Sequence, residues 1–112
     1  MLNRNQETLL QYIKGNGLDD RRIVGLRQYT LADVALTALA NCEEEKLVNP
    51  AGFLKQVEKI TLMLVEEGKR QWEKSDVGWS EMEGVIVSCV KTVIQEMFTE
   101  FRQGKESVEI KR

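Results

Sequence analysis

The sequence contains no histidine among its 112 residues, and this absence excludes several kinds of active site. Histidine is the commonest general base near neutral pH and the commonest zinc ligand. Without it, the chain cannot form the Ser-His and Cys-His pairs that activate nucleophiles. A glycine-rich phosphate loop is also missing. We therefore expect no catalytic residue, no cofactor and no metal site, in a protein that is not an enzyme.

Cysteine and proline are nearly absent, and so are long apolar runs. Cys42 and Cys89 are too few and too far apart for a disulfide framework or a zinc site, so we expect both thiols to pack in the core. Pro50 is the single proline. This scarcity favours helices, because proline in the interior of a helix interrupts it. No run approaches the roughly 20 apolar residues of a membrane span, and no secretory leader opens the chain. We expect a cytoplasmic protein that has no membrane partner.

Charge of either sign is not in excess. Sixteen basic and 18 acidic residues give a net charge of -2, which provides no bulk attraction to nucleic acid or to an anionic membrane. Hydrophobic residues make up 42% and charged residues 30% of the chain, as in an ordinary folded domain. We expect one domain over residues 1–104, ended by Gly104, and a flexible tail over residues 105–112.

What the sequence does contain is apolar residues at helical spacing, with no alternating strand pattern. The spacing predicts an all-α, compact bundle of four to five helices. We expect helices near residues 5–14, 19–26, 30–42, 50–74 and 80–102, of which the second is short and weakened by Gly25. Helix-start signals stand at Thr30–Asp33, Asn49–Pro50 and Ser80–Glu83. The last two helices are long and are expected to be antiparallel.

The last predicted helix is apolar over too much of its circumference for a surface helix. Its apolar residues fill an arc of roughly 220°, against about 100° for an ordinary surface helix. Such a helix must be covered on two sides, so we expect that it either lies at the centre of the bundle or pairs with another chain. A symmetric homodimer would supply the second kind of cover. The predicted self-association interface consists of Ile86, Val90, Val93, Ile94, Met97 and Phe101.

These features favour a small protein–protein interaction module, a regulator or inhibitor that acts by binding another protein. Small helical proteins of this kind are often encoded by phages or mobile elements, which is an analogy of size and class alone. Candidate partner-binding residues are Trp72 and Trp79, because tryptophan is enriched at binding hot spots, together with Arg21, Arg22 and Arg27. In a purely structural interpretation the tryptophans close one end of the core, and the arginines balance Asp19 and Asp20.

Two other functions stay open. Residues 18–42 could form a helix-turn-helix of a DNA-binding regulator that dimerises through its last two helices, although the second helix of that motif carries no Lys or Arg. Nucleic acid is therefore a possible partner that the sequence does not favour. Glu73 and Asp76 have the spacing of half of an E-x-x-E, E-x-x-D magnesium motif, which makes a carboxylate-dependent hydrolase the weaker alternative because the other half is missing.

Overall fold

The computed structural model describes residues 1–43 and 45–110, with side chains in the last helix described as far as Phe98. The described residues form four helices and no strand. The helices are α1 (Arg4–Gly15), α2 (Leu31–Ala38), α3 (Pro50–Glu73) and α4 (Trp79–Ile110). Helix α4 packs on α3 and α2, whereas α1 packs on α2 and α3. The prediction of an all-helical protein is confirmed.

Two of the three predicted helix starts are confirmed by their hydrogen bonds. The Thr30 hydroxyl accepts from the Asp33 amide at 3.1 Å, and the Asp33 carboxylate accepts from the Thr30 amide at 3.0 Å. The Asn49 side chain likewise accepts from the Gly52 amide at 3.1 Å. Each bond satisfies an amide that the first turn of a helix leaves without a partner.

The third predicted start, the capping box from Ser80 to Glu83, is wrong. Helix α4 already begins at Trp79, and Glu83 is only 1% exposed. Its carboxylate accepts a hydrogen bond from the backbone amide of Arg27. Glu83 therefore satisfies a loop amide far away in sequence instead of its own helix terminus.

The predicted short helix near residues 19–26 is absent. Residues 16–30 form turns, joined by an isolated bridge between Arg22 and Thr30. Gly17 and Gly25 have φ angles of 65° and 94°, in the left-handed region that glycine adopts without a steric cost. A right-handed helix cannot pass through Gly25. The described residues therefore form four helices and not five.

Helix α1 is held in place by a buried amide side chain. Asn5 is 2% exposed, and its Nδ2 donates to the carbonyls of Cys42 and Glu45. Its Oδ1 accepts from the Leu47 amide at 3.0 Å. The backbone groups of Cys42, Glu45 and Leu47, which lie outside the helices, thus obtain from Asn5 the partners that a helix would otherwise supply.

Helices α3 and α4 contact each other in opposite chain order. The rings of Phe53 and Phe98 lie 6.4 Å apart, while Gly68 contacts Ile86 further along. A Cβ atom on Gly68 would lie 2.9 Å from Ile86 Cδ1. The buried glycine therefore marks a close crossing of the two helices, not an early end of α3.

The broad apolar arc of α4 is largely covered within the chain. Ile86, Val90 and Ile94 are at most 3% exposed, because α2 and α3 pack on two sides of α4. Val85 stays 55% exposed at the edge of the arc. Helix α4 also continues to Ile110, beyond the end that we expected at Gly104. The flexibility of residues 105–112 stays a prediction, and residues 111–112 lie outside the described residues.

The two cysteines differ in environment, contrary to the prediction that both lie in the core. Cys42 is buried and Cys89 is exposed. Burial raises the pKa of the Cys42 thiol, because a thiolate loses solvation in apolar surroundings. Cys89 instead lines a shallow surface depression together with Val85 of α4 and Leu64 of α3.

Candidate interaction surface

An apolar groove opens where the first turns of α3 and the segment of residues 45–49 meet α4. It encloses a volume of about 530 Å³. Its apolar lining residues are Leu47, Val48, Phe53, Ile94, Met97 and Phe98. Glu45, Lys46, Asn49 and Gln56 contribute polar groups. We call this set the α3–α4 groove.

The groove is formed by elements that the sequence positions independently of one another. Asn5 fixes the backbone up to Leu47, and Asn49 caps the helix that carries Phe53. The Phe53 and Phe98 rings, tilted by 37°, then connect α3 to α4. Each wall of the groove therefore has an anchoring contact within the chain.

The side chains of the groove are suited to contact and not to covalent chemistry. Val48 is 80% exposed and Met97 is 36% exposed, so apolar atoms face solvent at the edge. Methionine has a flexible and polarisable side chain that adapts to different partners. An apolar centre with a few polar groups at the rim is the usual composition of a protein-binding surface.

Three residues of the predicted self-association interface are covered within the chain in this fold. Ile86, Val90 and Ile94 are buried in the core of the chain itself, because α2 and α3 supply the cover that we had assigned to a second copy. Val93 is half-buried, and Met97 lies in the α3–α4 groove. The Phe101 side chain lies outside the described residues.

The two predicted tryptophan anchors lie together at the turn between α3 and α4. The Trp72 and Trp79 rings are 5.4 Å apart in an edge-to-face arrangement, and the Trp79 indole donates to the Gly25 carbonyl at 3.3 Å. Trp79 thus connects α4 to the turns of residues 16–30, which we call the N-terminal loop. Trp72, which is 38% exposed, is the more exposed member of the pair, since Trp79 is partly buried.

Two of the three candidate arginines contact acceptors other than Asp19 and Asp20. Arg21 donates to both carboxylate oxygens of Glu58, at 2.9 and 3.0 Å. Arg22 donates to the backbone carbonyl of Arg27 at 2.9 Å. These contacts fasten the loop to α3 and to itself, so two of the three guanidinium groups already have partners within the chain.

Each of the two alternative functions assumes a local feature that can be compared with the structure. Residues 18–29 contain no helix, so the helix-turn-helix that we considered does not form. Among the described side chains, no group of three acidic residues or cysteines lies close enough to hold a metal ion. No helix in the described part is both long and apolar enough to cross a membrane.

Sequence reasoning missed most of the groove, although one signal was present. Val48 precedes the α3 cap and Phe53 is the fourth residue of the helix, and apolar residues at these two places commonly pack together as a hydrophobic staple. This pattern identifies the pair as contact neighbours. It does not reveal that Val48 stays mostly exposed, because that depends on the position of α4 in the folded chain.

No known protein family matches this chain, and comparison with curated proteins and with solved structures gives no significant match. A proposal of function therefore depends on the chemistry of these surfaces.

Proposed function

We propose that this chain is a small protein–protein interaction module, which binds an apolar segment of another protein in the α3–α4 groove. It would regulate or inhibit that protein by covering the segment. The observation that carries the proposal is the exposed apolar edge of the groove, where Val48 is 80% and Met97 is 36% exposed.

The shape of the groove favours a helical segment as the occupant. Two helices and a capped loop form its walls, and an amphipathic helix laid between them would insert side chains from one face. Phe53 and Phe98 offer flat ring surfaces, and Met97 offers an adaptable one. The polar groups of Lys46 and Gln56 at the rim would meet the polar side of such a helix.

The experiment selects peptides from a random display library on the immobilised protein and measures their affinities in solution. We expect the selected peptides to carry apolar residues three and four positions apart, as one face of a helix does. Val48→Asp places a carboxylate in the apolar contact, which should weaken binding at least about tenfold.

Val24→Asp is the matched control. Val24 is 79% exposed, almost the same as Val48, and it does not line the groove. Its substitution should leave the affinity of the selected peptides unchanged. Peptides that bind both variants equally well, or a library that yields no binder, would contradict the proposal.

A further inference from the structure

A stripe on the outer face of α3 has a pattern that a second copy of this chain would complement. Its members are Lys59, Leu62, Met63 and Glu66, spaced so that they lie on one side of the helix. All four are exposed, with Leu62 at 37% and Met63 at 63%. They line a shallow depression on the surface of α3 and share no residue with the α3–α4 groove.

The stripe is self-complementary about its own midpoint. Lys59 and Glu66 are equally far from the point between Leu62 and Met63, about 5 Å along the helix axis. A two-fold axis through that point, perpendicular to α3, therefore places Lys59 of each copy opposite Glu66 of the other. The Leu62 and Met63 side chains of both copies meet between the two ion pairs.

We propose that two copies of this chain associate through this stripe, with their α3 helices antiparallel. The inference goes beyond the groove, which a dimer of this kind leaves open on each copy. It also replaces the predicted interface on α4, where Ile86, Val90 and Ile94 are already buried.

The charges of the described residues are consistent with this pairing. Neither Lys59 nor Glu66 forms a salt bridge within the described part of the chain, whose two ion pairs are Arg21–Glu58 and Arg70–Glu67. The register brings Lys55 opposite Arg70 of the second copy. Arg70 is already held by Glu67 at 2.6 Å, so a carboxylate stands beside that cation and reduces the repulsion.

The test is the solution mass by light scattering for wild type, Lys59→Glu and Glu66→Lys, from about 1 μM to about 1 mM chain, the range that a small interface requires. Wild type should dimerise within this range. Each single reversal places like charges opposite each other twice and should raise the dimer Kd at least about tenfold. Circular dichroism melts should be unchanged, because both side chains are exposed.

The decisive measurement is the solution mass of a mixture of the Lys59→Glu and Glu66→Lys variants. A Lys59→Glu chain carries two acids on the stripe and a Glu66→Lys chain carries two bases, so the mixture should form a heterodimer although neither variant dimerises well alone. The double variant K59E/E66K should likewise regain the wild-type Kd.

Three results would overturn the inference. They are a wild-type chain that stays monomeric throughout, a dimer that neither reversal weakens, and single variants that do not recover on mixing. Val48→Asp should leave the mass unchanged, so failure of the dimer and failure of the groove can be told apart.

Discussion

The N-terminal third of the molecule and the α3–α4 pair are stabilised by different means. In α3 and α4, apolar side chains interlock along two long helices, and Gly68 allows them a close crossing. In the N-terminal third, amide side chains do much of the work: Gln6 donates to the Leu36 carbonyl and Asn3 to the Leu39 carbonyl, both at 2.8 Å. Long helices can be joined by apolar contact alone, whereas short helices and turns need individual polar partners.

The largest expected effect on stability lies in the α3–α4 pair. Ile94→Ala removes a side chain that is 2% exposed between α4 and its neighbours, so it should lower the free energy of unfolding by about 3 kcal/mol. Met97→Ala, three residues later and 36% exposed, should cost less than about 1 kcal/mol. Urea denaturation of both variants gives the comparison, and equal losses would show that Ile94 is not in the core.

Asn5→Ala tests the polar contacts of the N-terminal third in the same way. It removes three hydrogen bonds to the backbone of Cys42, Glu45 and Leu47 and leaves buried polar groups without partners, which should cost about 2–3 kcal/mol. Asn41→Ala is the control, because Asn41 is exposed and should change stability by less than about 0.5 kcal/mol. If the two variants melt alike, α1 does not depend on Asn5.

A pair of glycine variants tests the contact between the N-terminal third and the α3–α4 pair. Gly17→Ala introduces only the strain of a positive φ in open space, whereas a Cβ on Gly25 would also lie 2.5 Å from Val65 Cγ1. Gly25→Ala should therefore be less stable than Gly17→Ala by about 1–3 kcal/mol. Adding Val65→Ala should recover part of that difference in a double-mutant cycle; if it recovers none, the loop does not press on α3.

The smallest effect is expected at the ion pair that joins the loop to α3. Arg21 and Glu58 are 50% and 25% exposed at their side chains, so solvent screens their attraction. Arg21→Ala should cost about 0.5 kcal/mol, and less in high salt. Thermal melts at low and high salt would check this, and a loss as large as that of Asn5→Ala would mean that the pair is shielded from water.

In both regions the sequence predicts the helices better than it predicts the loops and the polar contacts. Apolar spacing located α3 and most of α4, because their core contacts repeat at every turn of the helix. The same approach produced a false helix near residues 19–26, since a left-handed φ at Gly25 leaves no trace in apolar spacing. The role of Asn5 was invisible for another reason: its partners are 37 to 42 residues away, and no local pattern encodes them.

The groove was only partly predictable, and for the same reason. Met97 was singled out from the apolar arc of α4, but Leu47 and Val48 lie in a short linker that has no periodicity to interpret. Their place beside α4 depends on α1 docking through Asn5. Glu83 was assigned to a helix cap because its spacing from Ser80 fits one, and only the folded chain brings the Arg27 amide to it.

The hydrogen bond from the Leu47 amide to Asn5 has a consequence for synthesis of the chain. Helix α1 is made first, yet this partner is separated from Asn5 by 42 residues. At about 5–20 residues per second, the ribosome adds them in roughly 2–8 s. Throughout that interval a nascent chain has Asn5 and the apolar edge of α1 undocked. Helix α1 therefore cannot complete its contacts through Asn5 until Leu47 has been added, and it can complete them before α3 and α4 are made.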